Sequence, residues 1–303
     1  MIPVCSRDSR SGDQVRADRF MQPGLRKQLD EEGYVILRGL VEPQVVAEAR
    51  ADLDGLVDQL AAGLIQEGRA PSSLAEEPFE TRIYRLFRDC LDQAPQSFRH
   101  ELHLPGIFGY FFHPELLDLV ESVLGGEIRL YPNYTVRPKL PDWEGTRIWW
   151  HQDGGYTHFV HTDDSVRHDD VEELRMLNVW SPLVPAREEN GCMQFVPGSH
   201  KLGVVPHVSR RYYLEIVDPR YTPLFEKAVS IELDPGDVVL FSNLLFHQGL
   251  PNRSRTVRWN LDWRYQDARQ PTLRQDQGHI ARSRSRPASA VRSAEEWVRL
   301  EFR

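Results

Sequence analysis

Between Val257 and Gln266 the chain alternates without a break. Val257, Trp259, Leu261, Trp263 and Tyr265 take the odd positions, and Arg258, Asn260, Asp262, Arg264 and Gln266 the even ones. Successive side chains of a strand leave opposite faces, so this segment predicts a strand with one wholly apolar and one wholly polar face. In a plain sandwich the polar row would face solvent. In a barrel wrapped by helices it would line a cavity, with the aromatic row packed outward. The second arrangement is favoured because the preceding sequence is rich in amphipathic helices that need a sheet to cover.

Those helices occupy the first third of the chain. Val46, Ala49, Leu53, Leu56, Leu60 and Leu64 recur at helical spacing over Pro43–Gly68, with Pro43 suited to the first turn and Gly68 to the stop. A short helix through Leu25 and Leu29 is expected to close at Gly33, before a strand over Tyr34–Leu37. Ile83–Leu91 and Glu115–Leu124 predict two more helices. From Ile128 to Gln266, short β-rich runs are broken by Pro, Gly and Asn turns, the pattern of a sandwich or barrel. Asn190-Gly191 predicts a tight hairpin turn, and Pro235-Gly236 opens a strand over Asp237–Phe241. In the tail, Ser293 and Glu296 suit a capping box. We therefore expect one domain over 1–303: a flexible lead (1–20), a mainly helical part (21–127), a β core (128–266) and an Arg-rich tail (267–303).

Composition narrows the function. A net charge of −8 argues against a general nucleic-acid binder. No apolar run reaches the roughly 18 residues a membrane span needs, and MIPVCSRDSRSGDQ lacks the apolar region of a secretory signal. Three scattered cysteines, Cys5, Cys90 and Cys192, make no disulfide framework, so a reducing cytoplasm is expected. Charge is uneven, however: Pro251 to Arg303 holds 12 Arg against 6 Asp and Glu. Most of these arginines are expected to pair with the acidic body, and some to meet an anionic substrate or cosubstrate.

In RIWWHQDGGY, His151 and Asp153 stand at i, i+2, which on a strand places both on one face. Alone this is weak, because 11 histidines make a chance H-x-D common. His247, in GDVVLFSNLLFHQG, follows a second β-like run and completes two imidazoles and one carboxylate. That is the ligand set of non-haem Fe(II) oxygenases, which leaves one side of the metal open. Arg258 lies 11 residues beyond His247 on the polar face of the alternating strand, where a guanidinium can grip a carboxylate with two hydrogen bonds. The alternative is a cupin-like isomerase or zinc hydrolase on the same triad, which would need neither Arg258 nor 2-oxoglutarate.

GYVILRGLVEPQVV, WWHQDGGY, LNVWSPLVPAREENGCMQFVPGSHKLG and DPGDVVLFSNLLFHQGLPNRSRTVRWNLDWRY together resemble the phytanoyl-CoA dioxygenase family of Fe(II)/2-oxoglutarate oxygenases. The resemblance runs from about Gly33 to Tyr265. It implies a mainly β fold, a double-stranded β-helix (jelly-roll or cupin-like) flanked by the N-terminal helices. It also implies Fe(II) on His151, Asp153 and His247, 2-oxoglutarate on Arg258 with Trp180 beside it, O2 as co-reactant, and hydroxylation with release of succinate and CO2. Gly249 stands where relatives often carry Ser or Thr, so only its backbone is carried over to the cosubstrate site. Related halogenases replace the metal carboxylate with a small residue; Asp153 is present, which favours hydroxylation or a related desaturation or cyclisation.

Other residues carry weaker expectations. Tyr131, Asn133 and Thr135 alternate and are read as one strand, with Asn133 near the cosubstrate and Tyr131 either at the substrate or in the core. Trp149 shares the His151 face by alternation, and Arg264 shares the Arg258 face, either meeting substrate or pairing with a carboxylate. His158, His161 and His168 are expected to be bystanders in a loop. The expected substrate is a small metabolite rather than a CoA thioester; oligomeric state is left open.

Overall fold

All but the first residue of the alternating segment lies in a ten-residue strand, Arg258–Asp267, of the largest sheet. The computed structural model describes residues 24–159 and 168–302, so the expected lead lies outside the described residues. In chain order the strands are β1 (Tyr34–Leu37), β2 (Glu127–Leu130), β3 (Thr135–Lys139), β4 (Ile148–His151), β5 (Met176–Pro182), β6 (Met193–Phe195), β7 (Val208–Ser209), β8 (Leu214–Glu215), β9 (Val229–Ile231), β10 (Val238–Ser242), β11 (His247–Gly249), β12 (Arg258–Asp267) and β13 (His279–Ser283). One sheet runs β1-β10-β5-β12-β2-β13, with β3 also on β12; the other runs β4-β11-β6-β9, and β7-β8 is a separate hairpin. All pairings are antiparallel. Two such sheets with helices packed on one of them make the expected jelly-roll fold.

Both faces of β12 are buried, and they differ in what covers them. Val257, Trp259, Leu261, Trp263 and Tyr265 are fully buried in one core with the N-terminal helices. Trp259 stacks on Phe79 with ring centroids 4.9 Å apart, Trp263 lies 5.5 Å from Phe111, and the Tyr265 hydroxyl donates to the Phe111 carbonyl at 2.7 Å. Phe79 and Phe111 sit on the helices Phe79–Phe87 and Pro105–Phe111, so the aromatic row is covered by helix, as expected. Between the sheets, Val239 and Phe241 of β10 meet Met193 and Phe195 of β6 and Ile231 of β9 in a second apolar cluster. The rest of the space between the sheets holds the polar row.

The helices lie close to expectation. Pro43–Gln66 forms the long one, and Gly33, at φ 83°, closes Leu25–Glu32 with its N–H on the Leu29 carbonyl. The helix expected at Ile83–Leu91 runs instead over Phe79–Phe87, beginning directly after Pro78. The Asn190-Gly191 turn is not a hairpin: β5 before it and β6 after it belong to different sheets, and the turn closes through Asn190 and Cys192 N–H groups on the Arg187 carbonyl. In the tail, Ser293 Oγ accepts from Glu296 N, while the Glu296 carboxylate reaches back to the Arg292 N–H rather than to that of Ser293. Several tail arginines pair with the acidic body, as Arg282 does with Asp118 at 2.6 Å and Arg284 with Glu121 at 2.7 Å. No helix among the described residues is long and apolar enough to cross a membrane.

Candidate active site

Antiparallel pairing of β4 with β11 sets His151 opposite His247, with ring centroids 4.1 Å apart. His151 Nδ1 lies 2.7 Å from the Trp149 carbonyl, and His247 Nδ1 lies 2.8 Å from the Leu245 carbonyl. A carbonyl only accepts, so each Nδ1 carries the proton and each Nε2 keeps a lone pair directed elsewhere. Asp153 reaches the pair by a route that alternation did not predict. β4 ends at His151, and Asp153 opens the helix Asp153–Phe159. Gln152 forms the corner, its amide donating to the Gly203 and Leu244 carbonyls at 2.7 Å each. The i, i+2 spacing thus works through a strand-to-helix turn.

His151 Nε2 lies 3.8 Å from Asp153 Oδ1, and His247 Nε2 lies 4.0 Å from Asp153 Oδ2. One ligand atom from each residue falls within 4.8 Å of the others. Burial, then the neighbouring His247, holds His151 well below its ordinary pKa; burial likewise lowers His247. Burial opposes ionisation of Asp153, but Arg264 and the two histidines outweigh it and hold the carboxyl below its usual range. Two neutral imidazoles and one carboxylate, with no thiolate among them, fit a divalent iron.

Asp153 is itself braced. Arg264 Nη2 donates to Oδ1 at 2.7 Å, and Asn178 Nδ2 donates to Oδ2 at 2.5 Å. Arg264 thus takes up the expected carboxylate-pairing alternative while also lining the cavity, and its Nη1 donates to the Asn133 carbonyl at 2.7 Å. Asn178 was not anticipated. The signal was present, since Asn178 and Trp180 alternate on β5 and so share a face.

Arg258 is buried at the start of β12. Its Nε donates to the Gly191 carbonyl at 3.1 Å, its Nη1 donates to Asn260 Oδ1, and its guanidinium lies 5.3 Å from the Trp180 ring centroid. The Asn190-Gly191 turn therefore serves to bring a carbonyl to Arg258. Burial pushes this guanidinium down to about 10, and no carboxylate among the described residues lies within ion-pair distance. A buried cation in that condition is costly unless an anion joins it. Gly249 pairs with Ile148 and Met193; a Cβ there would meet Ile148 Cβ and Lys139 Nζ at 3.4 Å each.

One cavity of about 340 Å³ between the sheets is lined by His151, Asp153, His247, Arg258, Trp180, Gly249, Arg264 and Asn133. Asn133 stands at the Arg264 end, with Oδ1 accepting from Arg99 at 2.8 Å. Two expected residues are absent from its walls. Tyr131 follows the end of β2 and is core: it packs with Leu174 and Met176, and its hydroxyl donates to the Thr272 carbonyl. The expected single strand is split there, β2 ending at Leu130 and β3 starting at Thr135 around Pro132, which has no N–H to donate. Trp149 is displaced by a register shift. His247 and Gly249 are two apart, but their partners His151 and Ile148 are three apart. That extra residue puts Ile148 on the cavity wall, while Trp149 lies under the Arg147 guanidinium at 3.7 Å. The presumed histidine loop carries helix at both ends, with His158 on Asp153–Phe159 and His168 opening His168–Glu172; His161 lies outside the described residues.

The profile of the family described as Phytanoyl-CoA dioxygenase (PhyH) matches residues 29–259. The chain is similar to 1-deoxypentalenic acid 11-beta-hydroxylase of Streptomyces arenae, 26% identical over 252 residues and 79% of each chain. It is also similar to the peroxisomal phytanoyl-CoA dioxygenase of Mus musculus, at 23% identity over 77% of this chain and 64% of that one. Among solved structures, EctD from S. alaskensis with 2-oxoglutarate and 5-hydroxyectoine superposes at a TM-score of 0.58, with 18% identity over 90% of this chain and 85% of EctD. The chain belongs to the phytanoyl-CoA dioxygenase family.

Proposed function

We propose that His151, Asp153 and His247 hold Fe(II), that Arg258 and Trp180 hold 2-oxoglutarate, and that the enzyme hydroxylates an unactivated C–H of a small-molecule metabolite. The observation that carries this is the meeting of the braced triad and an uncompensated buried Arg258 in one cavity. When bound, iron and 2-oxoglutarate together activate O2, one oxygen atom leaving in succinate, alongside CO2, and the other in the hydroxylated product. The chain's own share is placement. Arg264 and Asn178 fix Asp153, the two Nδ1 contacts fix the imidazoles, and Arg258 orients the cosubstrate through its distal carboxylate. The same reading takes 128–266, joined in the larger sheet by β1 and β13, as the catalytic core of a single domain, with the helices of 21–127 as its cover.

A cavity of about 340 Å³ suits a metabolite-sized ligand. The named acid of the Streptomyces hydroxylase is of that kind. A solved structure of similar fold, SnoK, is described as a carbocyclase, so cyclisation or desaturation by the same site is the second reading. The test is succinate formation from 2-oxoglutarate under air with Fe(II) and ascorbate. Succinate from the wild type should vanish in Asp153→Ala, and Arg258→Ala should demand far more 2-oxoglutarate. Equal succinate from all three proteins would contradict the assignment.

A further inference from the structure

Five guanidinium groups line the cavity, those of Arg99, Arg137, Arg258, Arg264 and Arg274, against the carboxylates of Asp153 and Asp262. Arg264 pairs with Asp153 at 2.7 Å and Arg137 with Asp262 at 3.0 Å, while Arg258 is taken by the cosubstrate on the reading above. Arg99 and Arg274 remain, and no carboxylate among the described residues lies within ion-pair distance of either. Neutral groups hold them instead. Arg99 donates to Asn133 Oδ1 at 2.8 Å; Arg274 lies 5.6 Å from the Tyr131 ring centroid, with its Nε buried and lacking an acceptor. Burial, and after it the nearby Arg137, pushes the Arg99 guanidinium down to about 10, with Arg264 and Arg274 acting in the same direction. The backbone is also unusual here: Leu273, just before Arg274, sits at φ 53°, a conformation costly for a leucine. Two half-buried cations held by neutral partners, one beside a strained residue, make a site prepared for an anion.

That anion is not the cosubstrate. Arg99 joins the Arg264 end of the cavity through Asn133. A diacid whose distal carboxylate is held at Arg258 and whose keto-acid end meets the metal at Asp153 has no oxyanion left for Arg99 and Arg274. We propose that Arg99 and Arg274 clamp an oxyanion head group, carboxylate or phosphate, of the prime substrate. This rests on the oxygenase assignment above. The clamp lies three hydrogen bonds from the metal carboxylate, in the order Arg99, Asn133, Arg264, Asp153. The substrate's head group would be anchored there and its apolar body laid against Tyr213, which also lines the cavity.

The test uses anaerobic protein loaded with Fe(II) and 2-oxoglutarate, which first must show the charge-transfer absorption of a chelated keto acid. Absence of that band overturns the oxygenase assignment and the clamp with it. With the band present, calorimetry compares 2-naphthoate, its methyl ester, its amide and 2-naphthyl phosphate, and the same set on a decalin skeleton. One oxyanion should bind at least about tenfold tighter than the ester and amide, and the tighter of carboxylate and phosphate identifies the head group. In Arg99→Gln and Arg274→Gln the margin should shrink to less than about threefold with the band unchanged, and Arg99→Lys should recover part of it. No oxyanion preference in the wild type, or a preference that survives in both glutamine variants, overturns the clamp while leaving the oxygenase assignment intact.

Discussion

Arg264 Nη2 stands 2.7 Å from Asp153 Oδ1, on the opposite sheet from the two histidines that complete the triad. The arginine comes from the polar row of β12 and the histidines from β4 and β11, so the two sheets meet at the carboxylate. Asn178 of β5 takes the other oxygen at 2.5 Å. Asp153, placed on a helix after a turn, thus owes its orientation to the larger sheet.

Removing either brace should weaken metal binding without abolishing it. Loss of an outer partner of a metal ligand typically costs about 10–100-fold in affinity, and we expect that for Arg264→Gln, with a smaller loss for Asn178→Ala. Arg264→Lys, which keeps the charge but not the planar fork, should fall between Arg264→Gln and the wild type. Anaerobic Fe(II) titration by calorimetry reads this directly, and unchanged affinity in Arg264→Gln would contradict the bracing role.

Metal-free protein should lose stability as the pH falls below about 6.5. His151 and His247 are held neutral in the folded chain, mainly by burial, whereas exposed histidines in the unfolded chain take up protons near pH 6.5. Their folded pKa values lie below the unfolded one, so their contribution is complete above about 6.5 and declines as pH drops. The slope is up to about 1.4 kcal/mol per pH unit for each histidine. Urea unfolding of chelator-treated protein at pH 7.5, 6.5 and 5.5 measures it. Replacing His247 with Gln should remove about half of the slope, and no change with that substitution would contradict the prediction.

The apolar row of β12 is structural. Trp259 and Trp263 are fully buried against helical aromatic residues, and Trp263→Ala should destabilise by about 3–5 kcal/mol through lost burial and a residual cavity. Denaturant unfolding should show this cost, with the folded fraction retaining its affinity for 2-oxoglutarate. A cost under about 1 kcal/mol would mean that the sheet–helix layer is packed otherwise.

Much of this was legible because it is local. Ten residues of strict alternation announced both the helix-covered face and the polar wall of β12, and His151, His247 and Arg258 fell where spacing put them. What escaped was non-local or broke a period. Trp149 was lost to one extra residue opposite His247 and Gly249, and such a register shift leaves no mark in the sequence of either strand. Asp153 meets His151 and His247, but by another local geometry, since helix begins where strand was assumed. Tyr131, left open between substrate and core, falls in the core, and the strand drawn through it is broken at Pro132. Arg99 lies between helices and reaches the cavity only through the packing of Phe98 against β3, whose Val136 it bridges. No periodicity could have singled it out.

The most direct test of the central claim is an anaerobic titration of Fe(II) into purified protein with 2-oxoglutarate, followed by the charge-transfer absorption that an iron-chelated keto acid produces. The wild type should saturate at one iron per chain with the band fully developed. Asp153→Ala should lose it, and Arg258→Ala should recover it only at far higher 2-oxoglutarate. A wild-type protein that binds no iron stoichiometrically, or binds it without developing the band, would contradict the account.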